Sequence, residues 1–391
     1  MNKPLPNVTV TKTEFGLGPA DLGSEEVVLE FAVTAPTVKR WARGMMNWIE
    51  NRKFRGPTDD PATFQLAATP TIFQTTPPER QESPIWFVGD LHGDLVALMA
   101  LKRFALYQDR QDRTTSPVRV CFLGDFIDDG PYSAEVVAWL MKAMSHQRET
   151  DSKPRARSSA CEIMAVVGNH DEGLRFIPDG DQGSFGSTVS PSRFSDELNQ
   201  RMGQVNGGAW KEFGLAAIEL FGRLPRMALI DGSVLIAHGG VPHADVVIAD
   251  RSDLNSPQAL SDFVWNRLHE TARRKIPNRE SRGSQQGIWD IEQFLERLTP
   301  IASGKPKFFL RGHDHHNDNF KHYEEYKSCS VMTLNAFTVN RGGFGQKYRN
   351  LALLRWRPAE PDRMTLFRLR FREGALDEIW RELRTGHEAQ E

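Results

Sequence analysis

The sequence predicts an α/β protein, and two observations carry the prediction. Five short apolar runs, "PIWFV" (84–88), "VRVCFL" (118–123), "EIMAVV" (162–167), "SVLIA" (233–237) and "KFFL" (307–310), each lead into a cluster of Gly, His, Asp or Asn. Helical periodicity lies between several of them, as in "SAEVVAWLMKAM" (133–144), where Val136, Val137, Leu140, Met141 and Met144 form one apolar face. Strands alternating with helices argue for an α/β sheet, and in such sheets ligands gather beyond the carboxyl ends of the strands. The five clusters fall there.

In chain order, residues 1–33 read as an extended, polar-broken lead-in. A helix follows in "TVKRWARGMMNWIENRK" (37–53), where Val38, Trp41, Met45, Trp48 and Ile49 recur at spacings of three and four. Thr34 or Thr37 can cap it, and Pro36 sits near its start. Residues 55–83, rich in Pro and Thr, read as a coil over the surface of something larger. The strand-and-cluster grammar begins at residue 84. Within it, "SHQRETDSKPRARSSA" (145–160) is polar and reads as a surface excursion. Residues 177–208 form a Gly- and Ser-rich stretch long enough to predict a lid or a disordered loop. "GALDEIWRELRTGHEAQE" (374–391) places Leu376, Ile379, Trp380 and Leu383 on one face of a closing helix with a frayed tail. The expected organisation is an N-terminal extension over 1–83, a core domain over 84–372 and a C-terminal helix and tail over 373–391.

Bulk properties exclude several classes. Over 391 residues, 26% are charged and 39% hydrophobic, with a net charge of −2, which points to no general nucleic-acid or membrane partner. No apolar run reaches the ~18–20 residues of a membrane helix, and the first residues lack a signal peptide's apolar core, so the sequence predicts a cytoplasmic protein. Cys121, Cys161 and Cys329 are odd in number and widely spaced, and the first two lie in apolar runs. They read as reduced thiols rather than a disulfide framework or a zinc cluster.

The clusters are "GDLHGD" (89–94), "GDFIDDGP" (124–131), "GNHDE" (168–172), "AHGGVP" (237–242) and "RGHDHH" (311–316). Together they offer Asp, Asn and His but no thiolate, a set that suits Mn, Fe, Zn or Mg. Two cations held ~3.5–4 Å apart by such a set are a standard device for in-line attack of water on phosphorus. Asp90 and His92 lie on one side of a tight turn that Gly89 and Gly93 permit, so both can reach one ion. Taken singly, Asp90, Asp125 and Asn169 are as well explained as turn or cap residues, and His238 as a satisfied core histidine. Read singly, these residues leave both readings open; the order in which the five clusters arrive bears on the choice.

In this order the five clusters resemble the metallophosphoesterase superfamily, especially its phosphoprotein phosphatase branch, whose pattern is GDxHG, GDxxDRG, GNHE, HGG and a final RxH. "FVWNRLHE", "SRGSQQGIWDIEQFLE" and "TLNAFTVNRGGFGQKYRNLALL" resemble further segments of that branch, and the likeness runs over roughly residues 84–372. It implies a sandwich of two mixed β-sheets flanked by helices, with the active site at the loop tips. It implies Asp90 and His92 on a first metal, Asp125 bridging two, and Asn169, His238 and His313 on the second. His315 resembles the second histidine of the Gly-His-x-His found in the broader superfamily, a further ligand of the first metal. The cofactors implied are two divalent or trivalent ions, with Mn expected to serve in vitro.

The resemblance further implies His170 as general acid, Asp128 as the carboxylate that orients its ring, and Arg282 with Asn169 as phosphate-binding groups. One clamp departs from the pattern: Asp129 stands where GDxxDRG has its arginine. Arg175, about a helical turn after His170, and Arg341 are candidate replacements. His243, His269 and His316 match no position of the pattern. The activity implied is hydrolysis of phosphate monoesters, with phosphoserine or phosphothreonine in proteins as substrate. Because "GNHD" and the Gly-Pro in "DDGP" are shared with symmetrical dinucleoside tetraphosphatases, a small nucleotide substrate is the alternative. A catalytically silent phospho-binding scaffold, suggested by Asp129, is the third.

Overall fold

A computed structural model of the protein describes residues 7–16, 21–25, 31–51, 70–111, 118–151, 161–180, 183–269, 273–277, 282–302, 304–326, 328–340, 343–346 and 350–387. They begin with β1 (Val8–Gly16), β2 (Asp21–Glu25), α1 (Ala35–Asn51), β3 (Thr71–Gln74), β4 (Ile85–Val88), α2 (Leu95–Gln111), β5 (Val118–Phe122), α3 (Ser133–Asp151) and β6 (Cys161–Ala165). The middle of the chain forms α4 (Asn169–Gly173), β7 (Leu174–Ile177), β8 (Ser184–Ser187), α5 (Arg193–Met202), α6 (Gly207–Arg223), β9 (Met227–Ile230), β10 (Val234–Ala237), α7 (Pro257–Trp265), β11 (Arg267–Leu268), β12 (Ile276–Pro277), β13 (Ser284–Gln286) and α8 (Ile288–Ile301). It closes with β14 (Phe308–Arg311), β15 (Phe320–Tyr323), β16 (Ser330–Leu334), β17 (Val339–Asn340), β18 (Gly343–Gln346), β19 (Asn350–Trp356), β20 (Arg363–Phe371) and α9 (Ala375–His387).

Two mixed sheets carry the fold. One has seven strands in the order β2-β1-β20-β19-β4-β5-β6, the other six in the order β15-β16-β14-β10-β9-β3. Alternation along β4 explains how they stack. Ile85 and Phe87 enter an apolar layer with Ile230, Ile236, Leu310 and Met332 of the other sheet, whereas Trp86 and Val88 face a second layer with residues of α2 and α3. In β10, Val234 and Ile236 join the inter-sheet layer, while Leu235 and Ala237 pack with Phe263 of α7 and Leu295 of α8. The result is the helix-flanked sandwich of two mixed sheets that the sequence resemblance implied. With both faces covered, "IWFV" and "VLIA" are apolar throughout and buried throughout.

The N-terminal segment is part of this frame. β1 pairs antiparallel with β20 from Val8↔Phe371 to Gly16↔Arg363, giving the lead-in a place inside the seven-stranded sheet. α1 packs against α2, α3, α6 and α9, with Val38 and Ile49 buried and Trp41, Met45 and Trp48 partly buried against the same core. The reading of 55–83 as coil is corrected in part, because β3 adds to the six-stranded sheet beside β9. A four-residue edge strand set among Pro and Thr has too few residues to show a period. Residues 52–69 lie outside the described set, as do 152–160 of the expected polar excursion and 388–391 of the tail. On α9, Leu376, Ile379, Trp380 and Leu383 are all buried. Cys121 and Cys329 are buried free thiols, raised in pKa by that burial. No helix among the described residues is long and apolar enough to cross a membrane.

The 177–208 stretch corrects the expectation of a loop. It completes the β7/β8 hairpin and supplies α5, whose Phe194 and Leu198 are wholly buried, with Phe194 edge-on to Phe213 of α6. Its attachment to α3 involves two acids. Burial and the neighbouring Glu197 charge push Glu135 well above its usual range, and burial pushes Glu197 to about 7 against the pull of Arg201 and the Ala134 N–H. An acid raised on folding contributes stability that is present in full below its unfolded pKa of about 4.5 and is lost as pH rises through about 7. Glu197→Gln should therefore raise the thermal midpoint at pH 8 by a few degrees, roughly, and leave it nearly unchanged at pH 4.5. A difference from wild type that is the same at both pH values would contradict this linkage.

Candidate metal centre and active site

Parallel pairing of β4, β5 and β6 in one sheet, and of β10 with β14 in the other, sends five loops off the carboxyl ends of their strands. Asp90, Asp125, His238 and His313 stand on those loops, and Asn169 opens α4 at the end of the third. His92, Asp125, Asp128, Asp129 and His313 all have positive φ, between 46° and 70°. For residues other than glycine this conformation costs on the order of 1–2 kcal/mol each. Asp and His tolerate it better than most, so the tips use residue types that suit both the backbone and the chemistry.

Close approach between loops sets the carboxylates. A Cβ on Gly168 would lie 2.1 Å from Asp125 Oδ1, and one on Gly312 would lie 1.9 Å from Asp90 Oδ1. Gly93, with φ +64°, makes the turn after His92, whereas Gly89 is there because its backbone touches Leu334. Gly312→Ala should displace Asp90, lower bound manganese measured by elemental analysis, and cut turnover by at least about tenfold to a hundredfold. Unchanged metal content and turnover would contradict the assigned packing.

Three sets of donor atoms converge, each set within 4.8 Å: Asp90, His92 and His315; His92, Asp125 and His170; and Asp125, His238 and His313. His92 donates from Nδ1 to the Ile127 carbonyl at 3.0 Å, which leaves Nε2 turned to His315 Nε2 at 3.2 Å and Asp125 Oδ2 at 3.6 Å. His315 Nε2 is also 3.6 Å from Asp90 Oδ2. His238 donates from Nδ1 to the Leu123 carbonyl at 2.9 Å, leaving Nε2 at 2.9 Å from Asn169 Oδ1 and 3.2 Å from Asp125 Oδ2. Backbone carbonyls thus fix the tautomer of two rings, as they do for histidine ligands of metals. The structure brings all seven expected ligand residues to one place. Only His315 among them is exposed.

A cation fits this donor set. Asp90 Oδ1 and His313 Nε2 are buried with no hydrogen-bond partner among the described residues, and a buried polar atom without a partner costs about 1–3 kcal/mol. Burial and the nearby Arg267 charge hold His313 well below its usual pKa, so its ring is neutral and ready to bind a metal. Burial opposes ionisation of Asp125, but His238 and His170 outweigh it and hold the carboxyl well below its ordinary value.

His170, on α4, donates from Nδ1 to Asp128 Oδ2 at 2.8 Å, and its backbone N–H donates to Asp125 Oδ1 at 2.9 Å. Burial disfavours its charge, yet Asp125 and the bonded Asp128 raise it to about 9. The other oxygen of Asp128 accepts from the Phe194 N–H at 3.0 Å, which ties α5 to the carboxylate behind the ring.

The sequence model of the calcineurin-like phosphoesterase family matches residues 83–317, well over half of the chain. The chain belongs to this family. Its members hydrolyse phosphoric esters with metal ions, and this protein is such a hydrolase. In fold it is similar to a protein serine/threonine phosphatase from Saccharomyces cerevisiae with similarity to human phosphatase PP5. The two superpose with a TM-score of 0.51 at 15% identity, covering 87% of this chain and 90% of that one.

In this phosphoesterase the cations expected to bind phosphate are placed unevenly. Arg282 is exposed and lies over the Trp265 ring, with its guanidinium carbon 4.8 Å from the ring centroid. Arg175 corrects the sequence reading. α4 ends at Gly173, and Arg175 lies exposed on β7 opposite Gly186, not on a helical turn after His170. No described contact joins it to the donor cluster. Arg341 lies outside the described residues. Asp129 is buried at 4% exposure, close enough to act electrostatically on both His92 and His170.

Several supporting residues escaped the sequence reading. Asp171 accepts the N–H groups of Phe126 and Gly168, both at 2.9 Å, and so staples the second cluster to the third. Asn335 donates to Asp90 Oδ2 at 3.2 Å, and Phe337 packs edge-on against His92 and His315. Arg311, wholly buried, bonds Asp314 and the Gly239 carbonyl, which fixes the last loop against the fourth. Asp94 caps α2 through the Ala97 N–H at 2.8 Å and accepts both the N–H and the hydroxyl of Thr338 at 2.6 Å. Of the unassigned histidines, His316 meets the Tyr323 hydroxyl and His243 bonds the Ser284 hydroxyl. The backbone N–H of His269 donates to the Gln286 carbonyl.

Proposed function

We propose that this phosphoesterase hydrolyses phosphate monoesters, with phosphoserine and phosphothreonine in proteins as its substrates. The observation that carries the reading is the His170–Asp128 pair, buried and hydrogen-bonded beside two converging donor sets. Asp90, His92, Asp125 and His315 would hold one cation, and Asp125, Asn169, His238 and His313 the other. Bound there, two cations supply charge neutralisation and an acidified water for in-line attack.

The chain's own residues do the rest. Asp128 accepts the hydrogen bond from the Nδ1–H of His170, so Nε2 is the ring nitrogen left to carry a proton to the leaving oxygen. Serine and threonine alkoxides are poor leaving groups and need that proton. A binding scaffold would have no use for it. Arg282 contributes a guanidinium to the phosphoryl oxygens, the group best matched to a charge spread over three of them.

Asp129 favours one other reading. A buried carboxylate where the branch pattern has a clamping arginine disfavours the two charges of a terminal phosphate more than the single charge of a bridging one, which suits a phosphate within a chain, as in dinucleoside polyphosphates. Assay of the manganese-loaded protein on a phosphopeptide, p-nitrophenyl phosphate and diadenosine tetraphosphate separates the alternatives. The proposal expects the highest kcat/KM on the phosphopeptide. Preference for the dinucleotide would replace it, and no turnover on any of the three would favour a scaffold.

A further inference from the structure

Beneath Arg282 lies an indole that the chemistry above leaves unused. Trp265 is only 4% exposed, and its Nε1–H donates to Glu172 Oε2 at 2.8 Å. The second oxygen of Glu172 pairs with Arg226 Nη2 at 3.2 Å, and Arg226 in turn bonds the Leu224 carbonyl at 3.1 Å. Glu172 therefore has both oxygens committed, one of them to this ring. It lies on α4, the one-turn helix that carries Asn169 and His170.

The backbone brings Arg282 onto that ring. β11 and β13 run parallel with Arg267 opposite Gln285, which sets Trp265 beside Gly283. A Cβ on Gly283, whose φ is +82°, would lie 2.4 Å from the Trp265 carbonyl oxygen. One residue on, the Ser284 N–H donates to Asn266 Oδ1 at 3.0 Å. The register is thus locked at the glycine and directly after it, and the guanidinium comes to rest over the indole.

We propose that Trp265 and Glu172 are positioning residues for the phosphate clamp, the indole orienting the Arg282 guanidinium and Glu172 fixing the indole to the helix of Asn169 and His170. This inference rests on the reading of Arg282 as the clamp. A guanidinium held over a ring by the attraction of its charge to the π-face can direct N–H groups away from the ring, and those are the groups that bond phosphate oxygens. A long exposed side chain is thereby restrained through its contact with the ring.

Steady-state kinetics on p-nitrophenyl phosphate, with inhibition by inorganic phosphate, test it. Arg282→Ala should raise KM and the phosphate inhibition constant, and added guanidinium should recover part of the loss by occupying the ring. In Arg282→Ala/Trp265→Leu the same guanidinium should recover nothing. Trp265→Leu alone should raise KM and the phosphate constant roughly threefold to thirtyfold, with kcat and bound manganese unchanged. If Leu at 265 does not fold, Trp265→Phe and Glu172→Leu carry the test through a raised KM at unchanged kcat. Equal guanidinium recovery with and without the indole, or wild-type KM in the position-265 and position-172 variants, overturns the platform while leaving the clamp standing. Wild-type KM and phosphate inhibition in Arg282→Ala itself would remove the clamp and the platform together.

Discussion

Asp125→Asn should lower turnover by about 10³-fold or more and leave the protein with fewer than two equivalents of manganese. The size of the effect follows from position. Asp125 Oδ2 is 3.2 Å from His238 Nε2 and 3.6 Å from His92 Nε2, so one carboxylate oxygen reaches the free ring nitrogens of both halves of the donor cluster. Its Oδ1 meanwhile accepts the His170 N–H. An amide can keep one of these roles but not all. It brings two N–H donors in place of a negative charge, and it offers no anion to hold two cations against their mutual repulsion. Elemental analysis beside a turnover assay checks it, and full metal content at wild-type kcat would disprove the shared role.

His170→Ala should separate substrates by leaving group. Alkyl phosphates, including phosphoserine peptides, should slow by ~10²–10⁴-fold, because the departing alkoxide no longer receives a proton. p-Nitrophenyl phosphate should lose far less, since its phenoxide departs unassisted. The geometry argues for this asymmetry: the ring is held by Asp128, and Asp128 by the Phe194 N–H, so the histidine is oriented by residues outside the donor sets. The 4.8 Å grouping of His170 with His92 and Asp125 leaves a competing role as a ligand. Equal losses on both substrates, together with lost manganese, would assign it that role instead.

The frame and the donors were legible in the sequence for a common reason. Strands buried on both faces read as near-continuous apolar runs; β4 and β10 are wholly apolar, β5, β6 and β14 are broken only by Arg119, Glu162 and the closing Arg311, and all five are followed at once by polar residues that a surface turn does not require. The faces of α1 and α9 were legible because their apolar spacing matches the helical period. What escaped lacks a periodic signature. β3 is too short, and α5 is hidden in a segment whose glycines and serines describe the hairpin before it rather than the helix. Among site residues, Asp171, Asn335 and Asp94 act by bonding backbone or other side chains. An aspartate after a strand looks the same in a sequence whether it binds a metal or an N–H group. Arg175 was misplaced because one turn of helix was extrapolated past Gly173, where a Cβ would strike Val189 and the chain turns into β7.

The hydrogen bond from Phe194 to Asp128 gives the excursion after α4 a significance beyond its own packing. A slimmer catalyst made by excising that excursion would keep every donor atom for the cations and still be impaired. Asp128 would swing on one fewer tether, and under the proposed mechanism the penalty would fall on reluctant leaving groups and spare activated ones. The part of this segment that matters to the site is therefore the place where it hands an amide to Asp128.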